Sequence, residues 1–252
     1  MFEIINEVKT YYEVKGDRPK ALILLHGWGQ NSQMMDFIAE GMKEHFTVYN
    51  LDFPGFGQSD QPPRAWDCDD YTEHLRSFCL KLKIDNPLIV AHSFGCRIAL
   101  RYAYKYGALK MCLTGAAGLR DDRGLDYYFR IYSYKAAKAL LSIGPLKKYR
   151  DRLLKKAGSE DYRNSSGVMR ATFVKVVNSD VKDILPKIKT ETLLVFGEND
   201  TATPLKKGQL MEKLMPDATL VVFAGDDHFA YFHQPIRFIR VLEAFLRSEY
   251  VD

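Results

Sequence analysis

Five consecutive apolar residues, Ala21-Leu22-Ile23-Leu24-Leu25, run straight into His26-Gly27-Trp28-Gly29. A strand with one wet face alternates apolar and polar side chains, whereas an unbroken apolar run needs cover on both faces. Residues 87–91 and 192–196 repeat the pattern, each closed by a polar, glycine-containing corner. Further strand-like runs fall at Thr47–Leu51, 109–114 and 219–223, and residues 2–8 and 11–15 read as an opening hairpin. Helical stretches lie between them, at 32–44, 70–83, 97–106 (stopped by Gly107), Leu205–Leu214 and 236–250. Strands alternating with helices pair in parallel, because each crossover returns across the sheet.

The rhythm breaks between 119 and 189. There no buried strand is evident, and helical segments rich in Tyr, Lys and Arg are interrupted at Gly144-Pro145 and Gly158. The expected fold class is therefore α/β, a mostly parallel central sheet flanked by helices. Residues 1–118 and 190–252 form the core domain and 119–189 an inserted helical segment.

Charge separates the same two parts. Residues 120–188 hold sixteen Lys and Arg against eight Asp and Glu, while the remainder is net acidic. The plain reading is a solvated, lysine-rich helical face; the sharper one is a surface that attracts anionic substrates. The whole chain carries only +4, too little to argue for nucleic acid. No apolar run approaches the length of a membrane span, and the acidic N-terminus lacks the apolar region of a secretory signal. The expectation is a cytoplasmic protein. Its four cysteines form no CxxC pair and have no histidine at metal-ligand spacing, so they read as reduced, buried thiols. Cys96 falls inside the helix after the 87–91 strand, where nothing exposes it as a nucleophile.

In an open parallel sheet, ligands bind at the carboxyl ends of the strands. The 87–91 strand ends in His92-Ser93-Phe94-Gly95, flanked by the small residues Ala91 and Gly95. Such a turn presents the Ser93 hydroxyl at a helix start, where free N–H groups suit a developing negative charge. Alone, the pattern fits a helix-capping serine equally well. After Ala21–Leu25, Gly27 and Gly29 flank Trp28 and free its backbone N–H; Trp28 and Phe94 are the candidate oxyanion donors. His26 reads as a framework residue. Strand 192–196 ends in Gly197-Glu198-Asn199-Asp200, and strand 219–223 in Ala224-Gly225-Asp226-Asp227-His228. A serine, then an acid, then a histidine, each after its own strand, is an order used for acyl transfer. Glu198 and Asp180 are alternative acids, but Asp200 best fits the turn before Pro204. Asp226 and Asp227 put extra negative charge beside the base, which has no account from the sequence.

These corners, together with Asp52-Phe53-Pro54-Gly55-Phe56-Gly57-Gln58-Ser59-Asp60, resemble the α/β-hydrolase superfamily over nearly the whole chain. The usual elbow is G-x-S-x-G, and here Ala91 takes the first position. The resemblance implies Ser93 as nucleophile, His228 as base, Asp200 as supporting acid and 119–189 as a cap over the site. It implies a small-molecule substrate and needs no metal or organic cofactor. Relatives with an Asp nucleophile, such as epoxide hydrolases and haloalkane dehalogenases, do not match Ser93, and the Gly-Gly-Pro-Gly loop of prolyl aminopeptidases does not match Trp28. The expectation is a serine hydrolase of carboxylic esters. Thioesterase, carbon–carbon bond hydrolase or lyase chemistry on the same residues stays open, as does a ligand receptor on this fold. Trp28, Phe94, Tyr128 and Tyr132 are candidate substrate contacts for an apolar or aromatic group, although the cap tyrosines Tyr127, Tyr128, Tyr132 and Tyr134 equally suit packing within the cap. Oligomeric state leaves no mark in the sequence.

Overall fold

The structure, a computed structural model, describes residues 1–120 and 160–250. Tyr127, Tyr128, Tyr132 and Tyr134 lie outside the described residues. The strands are β1 (Phe2–Ile5), β2 (Val8–Lys15), β3 (Ala21–Leu25), β4 (Thr47–Leu51), β5 (Leu88–His92), β6 (Lys110–Thr114), β7 (Glu191–Gly197) and β8 (Ala218–Phe223). They form one sheet in the order β1-β2-β4-β3-β5-β6-β7-β8. The pairs β1–β2 and β2–β4 are antiparallel, and the other five are parallel.

The helices are α1 (Asp36–Met42), α2 (Cys68–Lys81), α3 (Phe94–Tyr106), α4 (Glu160–Asn164), α5 (Gly167–Val177), α6 (Leu205–Leu214), α7 (Ala230–His233) and α8 (Pro235–Leu246). Side chains of α2, α3 and α6 pack on one face of the sheet, including Leu75, Phe78, Ile98 and Met211. Side chains of α1 and α8 pack on the other, including Ile38, Phe238 and Leu242. Both faces are covered, which is why Leu22, Ile23, Leu24 and Leu25 are all completely buried.

Several boundaries differ from the sequence reading, three of them here through a local cause. The hairpin turns at Asn6-Glu7, both with positive φ, so β2 begins at Val8 instead of Tyr11. Two left-handed residues make the tight turn whose twist matches its strands. Helix α2 starts at Cys68 because Asp67 caps it, accepting from Asp69 and Asp70 N–H while Asp70 accepts from Asp67 N–H. The 32–44 stretch splits into a 3-10 turn, Ser32–Met35, capped by Asn31, and then α1.

Three imidazoles, His26, His74 and His92, are completely buried. Burial holds them neutral, with His26 pushed down to about 4, His74 to about 3 and His92 well below the ordinary value. In the unfolded chain they protonate near pH 6.5. Their contribution to stability is therefore complete above that pH and is lost as pH falls from there toward the folded values. Between pH 6 and 5 the three together should cost roughly 3–4 kcal/mol per pH unit. Urea unfolding across that range checks this: His74→Gln should flatten the dependence by about a third of that slope, and an unchanged slope would refute it.

Candidate active site

Strands β3 and β5 are neighbours, with Leu25 paired to Ala91. The chain runs outward from this pair in both directions, so the crevice at the carboxyl ends opens between them. Two corners meet there. The first is the turn after β3. The Gly27 N–H donates to Gln30 Oε1 at 2.9 Å, and the Gln30 N–H returns to the Gly27 carbonyl. Among the described residues, no acceptor takes the N–H of Trp28 or of Phe94, the first residue of α3. His26 stands behind this turn. Its Nε2 accepts from the Phe53 N–H at 3.0 Å, so its proton sits on Nδ1 and goes to the Gly27 carbonyl.

The second corner is Ser93, the single residue between β5 and α3. Its backbone has φ 48° and ψ −105°, a conformation that costs a residue with a Cβ about 1–3 kcal/mol. The Ser93 N–H donates to the Thr114 carbonyl at 3.0 Å, and its own carbonyl accepts from Cys96 and Ala117. The side chain makes no capping bond to α3, so the hydroxyl is not used as a helix cap. The helix starts directly at Phe94, three residues earlier than the sequence pattern suggests. This brings its first turn against β3: a Cβ on Gly95 would lie 2.4 Å from the Leu25 carbonyl oxygen. Gly95→Ala must shift backbone on one side. It should destabilise by about 2 kcal/mol or more and reduce any activity at Ser93, as thermal melting and an ester assay would reveal. A wild-type melt with wild-type rate would contradict the close approach.

Asp200 and His228 come from the corners after β7 and β8, which are paired through Gly197 and Phe223. The Asn199 N–H donates to the Asp226 carbonyl at 2.7 Å and ties the corners together. His228 Nδ1 lies 2.8 Å from Asp200 Oδ2, and the carboxylate is fully enclosed. Asp200 Oδ1 accepts from the Ala202 and Thr203 N–H groups at 2.8 and 2.7 Å. Burial pushes this carboxyl up, but the His228 hydrogen bond and the Thr203 contacts outweigh it and hold the group below the usual range. With Nδ1–H directed at the carboxylate, Nε2 of His228 keeps the lone pair. One side of the ring meets His92, whose Nδ1 faces the Thr114 carbonyl at 3.2 Å.

The remaining acids have other partners. Glu198 accepts from the Gly225 N–H, and Asp180 pairs with Arg120. Asp226 binds His233 and Gln234, each at 2.8 Å, and Asp227 is exposed and accepts from the Phe229 N–H. The negative charge beside His228 is thus turned toward α7. Ligand atoms of Asp226, Asp227 and His233 lie within 4.8 Å of one another, a spacing open to a cation, but at the exposed surface. Asp52 binds the Ser32 and Gln58 N–H groups, and Ser59 binds the Asp52 carbonyl, so this segment is framework.

The Phe94 ring is buried among Trp28, Phe53 and Tyr71 at 5.1–5.4 Å. Trp28 keeps partial exposure and is flanked by Phe56 and by Phe173 of α5. Helix α5 also binds the core through Thr172 Oγ1, which accepts from the Trp66 N–H, and through Lys175, which donates to the Ala65 carbonyl. The described part of the 119–189 segment therefore rests beside the Trp28 turn. One neighbour of the Asp200–His228 pair is absent from the sequence reading. Thr203 Oγ1 lies 2.7 Å from Asp200 Oδ2 and 3.2 Å from His228 Nδ1. Its signal was an Asp-x-x-Thr spacing before Pro204, the pattern of a side chain closing its own turn.

The model of the alpha/beta hydrolase family matches residues 22–241. The chain belongs to this family. A protein of Mycobacterium tuberculosis (strain ATCC 25618 / H37Rv), itself uncharacterised, is 27% identical over 276 residues, covering 97% of this chain and 80% of the relative. An esterase from Exiguobacterium antarcticum superposes with a TM-score of 0.75 at 22% identity, over 98% of each chain. A meta-cleavage product hydrolase from Pseudomonas fluorescens IP01 does so with a TM-score of 0.75 at 22% identity, over 99% of this chain and 98% of its own. The last two show that this α/β-hydrolase fold is shared. Among the described residues, no helix is long and apolar enough to cross a membrane.

Proposed function

We propose that the protein is a serine hydrolase that cleaves carboxylic esters of a small apolar or aromatic substrate through an acyl-enzyme on Ser93. The observation that carries this reading is the 2.8 Å contact between His228 Nδ1 and the enclosed Asp200 carboxylate. It joins two residues 28 apart in sequence and leaves Nε2 free to take the Ser93 proton. The serine oxygen attacks the ester carbonyl, and the N–H groups of Trp28 and Phe94 receive the oxyanion. Asp200 stabilises the imidazolium that forms. His228 passes the proton to the departing alkoxide, which leaves as the alcohol. Water then gives a proton to His228 and attacks the acyl-enzyme, releasing the acid and restoring Ser93. No step calls for a metal or an organic cofactor.

Residues 119–189 act as a cap in this proposal, with Phe173 and Trp28 supplying an aromatic wall. Tyr128 and Tyr132 remain candidate wall residues from the sequence alone. The four cysteines are buried and free, which suits a reducing compartment, and the proposal places the enzyme in the cytoplasm. Carbon–carbon bond hydrolysis is the second reading, favoured by the fold shared with the meta-cleavage product hydrolase.

The test is labelling with a fluorophosphonate, followed by short p-nitrophenyl esters, acyl thioesters and a vinylogous diketone. An adduct on Ser93 with ester turnover supports the proposal. An adduct with turnover of the diketone alone moves it to the second reading. Absence of an adduct would overturn both.

A further inference from the structure

We propose that Thr203 is a positioning residue of this reaction, its hydroxyl joining Asp200 and His228 in a closed three-atom hydrogen-bond arrangement. The inference rests on the serine-hydrolase reading above.

The proton count fixes the directions. A neutral imidazole with its proton on Nδ1 offers one N–H there, and two oxygens face it: Asp200 Oδ2 at 2.8 Å and Thr203 Oγ1 at 3.2 Å. The hydroxyl has one proton of its own, and Asp200 Oδ2 lies 2.7 Å away to accept it. Thr203 Oγ1 therefore donates to the carboxylate and turns a lone pair toward the imidazole N–H. Thr203 contributes a second contact through its backbone, whose N–H donates to Asp200 Oδ1 at 2.7 Å. One residue thus holds both carboxylate oxygens, and it is itself nearly buried. With Ala202 N–H and His228 included, Asp200 accepts four hydrogen bonds. That fills the acceptor sites of a carboxylate and leaves it no free rotation.

The arrangement has a use in the reaction. His228 takes a proton from Ser93 and gives it to a leaving group at a different point, so the ring must tilt between the two. With a single acceptor, that tilt would strain the Nδ1–H bond. A second oxygen 3.2 Å away lets the N–H shift between Oδ2 and Oγ1 while Nε2 reorients. The tautomer is kept through acylation and deacylation, and the hydroxyl dipole points its negative end at the imidazolium when it forms.

Two variants separate this role from packing. Thr203→Val keeps the β-branch and the backbone N–H but removes the hydroxyl, and Thr203→Ser keeps the hydroxyl. Rates are expressed per fluorophosphonate-titrated site, so unfolded protein does not enter them. Thr203→Val should lower kcat on a p-nitrophenyl ester by about 10–100-fold, the effect of losing a hydrogen bond to a charged group, with KM within about twofold. Its labelling by the fluorophosphonate should slow by a similar factor, because phosphonylation needs the same proton transfer. Thr203→Ser should stay within about threefold of wild type in both assays. Wild-type rates in Thr203→Val, or equal losses in both variants, would overturn the role of the hydroxyl. Failure of the underlying reading looks different: wild-type protein itself would take no label at Ser93.

Discussion

Replacing Ser93 with alanine should lower ester turnover by on the order of 10⁵–10⁶-fold and abolish fluorophosphonate labelling. The loss follows from chemistry rather than folding. Alanine can occupy the same backbone conformation with the same strain, and the Ser93 hydroxyl makes no capping bond that the fold would miss. Melting temperature should therefore stay close to wild type. Ser93→Gly sharpens the test. Glycine reaches φ 48° without a Cβ penalty, so that variant should be equally inactive yet more stable by about 1 kcal/mol. A serine variant that kept its rate would remove Ser93 from the mechanism. A Gly variant less stable than the Ala variant would show that the elbow carries no strain.

Asp200→Asn should cost about 10⁴-fold in kcat, through the wrong imidazole tautomer. Asp200 Oδ1 faces two backbone N–H groups, and Oδ2 faces the imidazole and the Thr203 hydroxyl. An asparagine must point its carbonyl oxygen at the two N–H groups and its NH₂ at His228. The imidazole then accepts on Nδ1 and carries its proton on Nε2, where it cannot receive one from Ser93. The same geometry has a stability consequence. Asp200 titrates below its unfolded value, so its contribution is complete above about pH 4 and is lost as pH falls through the depressed folded value. The stability gap between wild type and Asp200→Asn should accordingly narrow below about pH 4. A kcat within tenfold of wild type, or a gap independent of pH, would contradict this account.

Much of the fold is legible in the sequence. The run Ala21–Leu25 announced a strand covered on both faces, and its residues are completely buried apart from Ala21 at the strand start. Gly107 announced the end of α3, where it takes φ 78° and returns its N–H to the Ala103 carbonyl. Residues 32–44 were less legible, because apolar spacing does not distinguish a 3-10 turn from the α-helix that follows. The start of α3 differs from the sequence reading because the elbow leaves no linker: the helix begins on the residue after Ser93. The contacts of Thr203 have no counterpart in the sequence reading, because they depend on where its hydroxyl points, and side-chain direction has no one-dimensional signal.

Strand and helix identity, and the placing of Ser93, Trp28, Asp200 and His228 after separate strands, follow from short-range patterns of apolarity, glycine and polar residues. Those patterns act within a few residues, so the chain carries them in order. Which corners touch was another matter. The Trp28 turn lies beside Ser93 because β3 pairs with β5, and His228 reaches Asp200 because β7 pairs with β8. Strand pairing joins segments separated by dozens of residues, and its register is set by the packing of the whole sheet. That is why the candidate residues could be named along the chain, while their contacts, and the hydroxyl that joins two of them, emerge only when the strands are side by side.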